Sequence, residues 1–266
     1  MIKVLLARLH QGHRTMVFPK GPPPELPAHF RGRPLIDAAK CRQGCSACAD
    51  ACPTQAITIV RGEAGANDQV RADLGRCLFC TDCQEACPEG AVSYSRDYRL
   101  SVRQRDELVV NPEQVLKLAA ELDKKSKRLF GRSLKLRQVS AGGCNACEAD
   151  VNVLGTVGWD LSRFGIQFVA SPRHADGVLI TGAISENMRL ALLKTYEAVA
   201  APKLVIAVGA CAIAGGPYID HPEVHNGAAS QLPVDLFIPG CPPHPLTILD
   251  GLLRLLGRIE GGNRLP

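Results

Sequence analysis

From residue 133 onward the chain alternates between two textures. Short β-rich runs, LKLRQV (134–139), IQFVA (166–170), GVLIT (177–181), KLVIAVG (203–209) and VDLFIPG (234–240), predict buried strands. SENMRLALLKTYEAVA (185–200) and PLTILDGLLRLLGRI (245–259) predict helices. This alternation predicts a mainly parallel α/β sheet with helices on its faces, whose sites form in loops beyond the carboxyl ends of strands. Upstream, one helix is predicted from Asn111 as N-cap, through Pro112 in its first turn and Gln114 in a capping-box-like place, to a stop at Gly131. The first 35 residues open on an amphipathic stretch in which Ile2, Val4, Leu5, Leu6 and Leu9 form an apolar stripe. FPKGPPPELP follows, and cannot sustain helix or central strand. Four regions result: a basic amphipathic docking segment (1–35), a cysteine-rich region (36–100), a helical connector (101–132) and the α/β region (133–266).

Composition changes this picture mainly through cysteine. The chain has 266 residues, 46% of them hydrophobic, enough for one large or two modest cored domains. Its 12 cysteines imply either a secreted disulfide scaffold or thiolate metal sites. The start, MIKVLLARLHQGHR, interrupts its apolar run with Arg8 and His10 and shows no small-residue cleavage site, so no signal peptide is expected. No apolar stretch reaches a bilayer span, and no transmembrane helix is expected. Thiols in a reducing compartment, holding metal, are the expectation.

Charge is concentrated at the front. Residues 1–40 carry seven basic residues against Glu25 and Asp37, a surplus of five that equals the net charge of +5. A cytoplasmic membrane surface or an acidic partner suits this segment. Nucleic acid does not, since no recognition motif or aromatic interleaving accompanies the charge. The second basic run, residues 124–137, reads as a solvated face.

The cysteine-rich region contains an internal repeat. CRQGCSACADACP (41–53) and CLFCTDCQEACP (77–88) align at a 35-residue offset, and CPTQAITIV matches CPEGAVSYS behind them. Cys-x2-Cys-x2-Cys-x3-Cys-Pro is the pattern of a two-cluster ferredoxin, in which the fourth cysteine of each run serves the other cluster. One 4Fe-4S cluster is thereby assigned to Cys41, Cys45, Cys48 and Cys87, the other to Cys77, Cys80, Cys83 and Cys52. The first run is one residue longer between Cys41 and Cys45. A zinc ribbon would use two Cys-x2-Cys pairs and leave thiolates over in each block.

Subtracting these eight leaves Cys144, Cys147, Cys211 and Cys241, each just beyond a predicted strand. Strand ends of a parallel sheet converge on one edge, so these four are expected to form a third site. A structural zinc is the alternative there. It would leave two redox centres upstream without an exit.

GGCNACEAD (142–150), SPRHADGVLITGAISENM (171–188), VGACAIAGG (208–216) and PGCPPHP (239–245) resemble the small subunit of membrane-bound, complex-I-related NiFe hydrogenases of the formate hydrogenlyase type. More distantly they are similar to the subunit of NADH:quinone oxidoreductase that carries its terminal cluster. That subunit has adjacent cysteines where this chain has Cys-x2-Cys, which points to the hydrogenase branch. RLHQGHRT and the eight upstream cysteines resemble the two-cluster ferredoxin-like subunit of the same complexes, so the chain looks like a fusion of two usually separate subunits. The resemblance implies a ferredoxin-like α+β domain followed by a flavodoxin-like α/β domain, with three 4Fe-4S clusters in all. Two positions depart from the family: Asp150, with Glu148 nearby, stands where Glu is usual, and His244 where Arg is usual.

What the resemblance implies about function is an electron-transfer subunit of an oxidoreductase complex, peripheral on the cytoplasmic side of the membrane. It would pass electrons to a NiFe site in a partner large subunit, for proton reduction to hydrogen. Its partners would be that large subunit, membrane subunits related to complex I, and a low-potential donor such as a formate dehydrogenase or ferredoxin. The chain offers no bond-making site of its own: its seven histidines are scattered, and neither G-x-G-x-x-G nor a Walker motif is present. A nickel-free quinone-reducing module and a non-enzymatic redox-sensing scaffold remain as alternatives.

Overall fold

In the computed structural model, which describes residues 2–62, 68–111 and 116–259, the sequence repeat is also a structural repeat. The chain opens with helix α1 (Ile2–Gln11), none of whose residues is buried. Strand β1 (Pro34–Ile36), helix α2 (Ala47–Asp50), strands β2 (Ile57–Val60) and β3 (Gln69–Asp73), helix α3 (Asp82–Glu85) and strand β4 (Val92–Tyr94) follow. Ala47 and Asp82 open the two short helices, Ile57 and Val92 the two strands, each pair 35 residues apart. The backbone agrees in detail. Ala56 N–H donates to Cys52 Sγ at 3.2 Å, and Ala91 N–H to Cys87 Sγ at 3.3 Å. The strands then take different neighbours: β4 pairs antiparallel with β1, while β2 pairs antiparallel with β3. Ile36, Ile57, Val70, Cys83 and Val92 form a small core between them.

The connector departs from expectation. Strand β5 (Val109–Val110) extends the β2–β3 sheet, and the buried Oδ1 of Asn111 has no partner among the described residues. Pro112 and Gln114 lie outside the described residues. Residues 116–123 form an irregular strap, and the helix, α4 (Lys124–Phe130), begins only after it. Packing decides this. Leu116, Leu118, Ala119 and Leu122 are buried, and the strap's amides are used elsewhere. Ala119 N–H donates to the Ser101 carbonyl at 2.7 Å and Leu122 N–H to the Leu255 carbonyl at 2.9 Å. Asp123 is the N-cap, accepting from the Lys125 and Ser126 amides.

The remaining elements alternate as the sequence predicts: β6 (Leu134–Ser140), α5 (Ala146–Val153), β7 (Ile166–Phe168), β8 (Gly177–Thr181), α6 (Glu186–Ala198), β9 (Leu204–Val208), α7 (Ala210–Ala214), β10 (Leu236–Ile238) and α8 (Pro245–Leu255). The five strands are parallel, in the order β10-β9-β8-β6-β7. Counted within this sheet that is the 2-1-3-4-5 order of flavodoxin-like folds, with its switch point between β6 and β8. Alternate residues serve opposite faces. Leu134, Leu136, Leu179, Ile206 and Ile238 pack against α5 and α8, which buries Leu246, Ile248, Leu249, Leu252 and Leu253 completely. Val139, Ile180, Val205 and Ala207 pack on the other face, in one cluster with Leu192 of α6 and with Leu74, Phe79 and Leu108 from upstream of the sheet. Val102 also exchanges backbone hydrogen bonds with Phe237 of β10, at 3.1 and 2.9 Å. The cysteine-rich half is therefore held both against a face and along an edge of the sheet. Among the described residues no helix is long and apolar enough to cross a membrane.

Candidate metal centres

All twelve cysteines stand as free thiols, and they fall into three groups. Cys41, Cys45, Cys48 and Cys87 line one recess, together with Ile59 and Val92. Burial and the neighbouring charges of Cys41, Cys83 and Cys87 push the Cys48 thiol up to about 11. Cys41, the exposed member, is raised by burial and by Cys87 and Cys45.

The second group combines Cys77, Cys80 and Cys83 with Cys52 from the other arm of the repeat. Burial, with the charges of Cys83, Cys52 and Cys80, pushes Cys77 up to about 12, although Phe79 N–H donates to its sulfur at 3.4 Å. Cys83 is buried, and Tyr94 Oη lies 3.4 Å from its sulfur. The α3 turn that carries it is entered through Thr81 at φ +85°.

The third group sits where the sheet topology puts it. Cys144 follows β6, Cys147 lies in α5, Cys211 in α7 after β9, and Cys241 follows β10. Burial and the charges of Cys241, Cys144 and Glu148 push Cys211 up to about 11. Cys147 is driven higher by burial and the other three thiols. The cradle is built from glycine. At Gly209, with φ +90°, a Cβ would lie 2.5 Å from Cys147 Sγ; at Gly216, with φ +57°, 2.6 Å from Cys211 Sγ.

Among the described residues no three His, Cys, Asp or Glu side chains converge closely enough to hold a single ion. Four thiolates per group suit a four-iron cube, which takes one thiolate per iron. On donor type and number, the residues fit 4Fe-4S clusters.

The second group lies near enough to both others to act on them electrostatically. Cys48 of the first feels the charge of Cys83 in the second, and Cys241 of the third feels that of Cys80 in the second. Phe30, Phe79, Cys80, Asp150, Cys241 and His244 line one recess at the latter junction. The two positions that depart from the family have structural surroundings. His244 is the N-cap of α8: its Nδ1 accepts from Leu246 N–H at 3.1 Å, and its ring meets Phe30 and Trp159 edge to face. Burial lowers its pKa, so no cation replaces the usual Arg at neutral pH. Asp150, half-buried, is raised by burial.

From the sequence Glu148 stands out only as a neighbour of Asp150, and Tyr94 not at all. Glu148 is buried and accepts from Ser140 Oγ and Thr181 Oγ1, both at 2.6 Å, tying α5 to the ends of β6 and β8. Burial pushes its carboxyl up, but the two hydroxyl donors outweigh that and leave it below the usual range. Only the repeat could have marked Tyr94, since it stands opposite Ile59 in the aligned tails.

Residues 144–255 match the family described as NADH ubiquinone oxidoreductase, 20 Kd subunit, and residues 40–91 match the 4Fe-4S dicluster domain. Formate hydrogenlyase subunit 7 of Escherichia coli is 40% identical over 56% of this chain and 56% of its own length. An NADH-quinone oxidoreductase subunit of Carboxydothermus hydrogenoformans is 45% identical over 44% of this chain and 72% of its own. The "Probable membrane-bound hydrogenase subunit mbhJ" of Pyrococcus furiosus is 37% identical over 50% and 79% respectively. The chain thus spans little more than half of the first of these proteins and over two thirds of the other two.

Proposed function

This chain belongs to the family of the 20 kDa subunit of NADH ubiquinone oxidoreductase, with a 4Fe-4S dicluster domain ahead of it, and on that premise we propose that it relays electrons through three 4Fe-4S clusters in series. The family's members are subunits of oxidoreductase complexes, both hydrogenases and NADH-quinone oxidoreductases. Cys41, Cys45, Cys48 and Cys87 would hold the first cluster; Cys77, Cys80, Cys83 and Cys52 the second; Cys144, Cys147, Cys211 and Cys241 the third. Bound there, such clusters supply one-electron carriers.

What supports this reading is that the second group neighbours both others, the charge of Cys83 acting on Cys48 and Cys80 sharing a recess with Cys241. Cys83 is buried, whereas Cys41 in the first group and Cys144 and Cys241 in the third are exposed. The chain's residues do the rest of the work. Phe79, Phe30 and His244 crowd the junction between the second and third groups, and glycines at 209 and 216 leave room beside the third. The exposed end of the third group is the side a large subunit would approach.

The finer reading is that of a hydrogenase: a NiFe large subunit as acceptor, a formate dehydrogenase or ferredoxin as donor, and hydrogen as product. Likeness to formate hydrogenlyase subunit 7 and the Cys-x2-Cys of Cys144 and Cys147 favour it over a quinone-reducing complex. The exposed stripe of α1, with the basic residues behind it, suits the cytoplasmic face of membrane subunits. Purification of the intact complex, with metal and sulfide analysis, tests the whole. We expect about twelve irons in this chain and nickel in its partner. Zinc in the third group, or Cys147→Ala leaving the iron content unchanged, would overturn the relay.

A further inference from the structure

The two arms of the ferredoxin repeat differ at a position that faces their sulfurs. Tyr94 stands 35 residues after Ile59 and takes in β4 the place Ile59 takes in β2. Tyr94 Oη lies 3.4 Å from Cys83 Sγ, whereas Ile59 lines the recess of Cys41, Cys45, Cys48 and Cys87 and has no donor to offer. We propose that Tyr94 is a positioning residue for electron flow: its phenol donates to Cys83 Sγ and makes the middle centre easier to reduce than the outer, ferredoxin-side centre. The inference rests on the ligand assignment proposed above.

The direction of the hydrogen bond follows from chemistry. Either atom could donate in a free thiol, but a thiolate on iron has no proton, so the phenol must be the donor. A phenol, with an ordinary pKa of about 10, holds that proton at neutral pH. Reduction adds negative charge to a cluster and its sulfurs. A donor aimed at a sulfur therefore stabilises the reduced form and raises the potential.

The other donors do not cancel this. The amides of Ala56 and Ala91 form an equivalent pair, one bonding a ligand of each centre. Phe79 N–H adds a further donor on the side of the middle centre, at Cys77. On the outer side Ala49 N–H acts on Cys48, and the carboxylates are matched, Asp37 near Cys41 and Asp82 near Cys80, while Arg42 is paired with Glu89. Tyr94 alone has no counterpart at the equivalent place in the other arm. Electrons arriving from solvent would thus meet the harder-to-reduce centre first and be drawn inward.

The test uses the full chain, prepared anaerobically with its clusters, in an EPR-monitored redox titration of wild type, Tyr94→Phe and Ile59→Tyr. Phe keeps the ring that packs against Cys83 and removes only the hydroxyl. In Tyr94→Phe the midpoint of one centre falls, so that its reduced-to-oxidised ratio at fixed potential drops roughly three- to tenfold, while the other two stay. Tenfold corresponds to about 59 mV for one electron. In Ile59→Tyr the midpoint of a different centre rises. The Fe–S(Cys) stretching bands of Tyr94→Phe shift in the resonance Raman spectrum, which a packing role would not cause. Three unmoved midpoints in Tyr94→Phe overturn the proposal. If that variant instead loses a cluster, Ile59→Tyr decides, and an unmoved outer centre overturns it. Fewer than three reducible centres in the wild type means that the ligand assignment has failed, and this inference with it.

Discussion

At Gly209 the whole third group depends on the absence of one methyl. Its φ of +90° is unfavourable for any side chain, and the place of a Cβ is 2.5 Å from the sulfur of Cys147. Strain and contact act together there, because the loop cannot move away without carrying Cys211, two residues on, with it. Gly209→Ala should therefore lose about four of about twelve irons while the circular dichroism of the sheet persists. Retention of all the iron would show that the loop has slack. Gly216 makes the same demand beside Cys211. Gly209 stands two residues ahead of Cys211, where a glycine before a ligand is legible, whereas Gly216 follows Cys211 and carries no such sign. The hydroxyl of Tyr94 was not legible either, because a tyrosine in a short strand carries no signal until its partner sulfur is known.

Among the elements, α4 shows how packing overrides local preference. Leu116, Leu118, Ala119 and Leu122 fit a helical spacing on paper, yet each is buried by neighbours that the strap reaches only without helix. Single-chain patterning cannot see Ser101 and Leu255, whose carbonyls the strap's amides bond. The β2–β3 hairpin escaped notice for a different reason: QVRAD is short, carries two charges in five residues, and buries only alternate residues. The parallel strands were legible because both of their faces are covered, which forces nearly continuous apolar runs. Asp123 offers a test of the cap. The Ser126 hydroxyl, with the amides of Ser126 and Lys125, holds its carboxyl below the usual range. The stabilisation is present above the unfolded value of about 3.8 and is lost as pH falls through the folded one. Exchange protection of the Lys127 and Gly131 amides should then decline on acidification. In Asp123→Asn it should stay level, since Asn caps without titrating.

For the molecule as a whole, the two ends are unlike. The α5/α8 face of the sheet is sealed, whereas α1 projects with Ile2 74% and Leu9 79% exposed. α1 does not cover the ferredoxin core, as none of its residues is buried. Leu5→Glu with Leu9→Glu should leave the melting temperature unchanged, because nothing packs on these side chains. The same pair should shift the protein from the membrane fraction to the supernatant after mild lysis. A drop in melting temperature without release would mean that the helix folds back on its own chain.

The backbone exchange between Val102 and Phe237, with the strap behind it, has a further consequence. In an assembly of separate polypeptides the junction beside Cys80 and Cys241 would open on dilution. Here the effective concentration of each half around the other is fixed by covalent linkage. Conduction across that junction should accordingly be insensitive to how thinly the protein is spread.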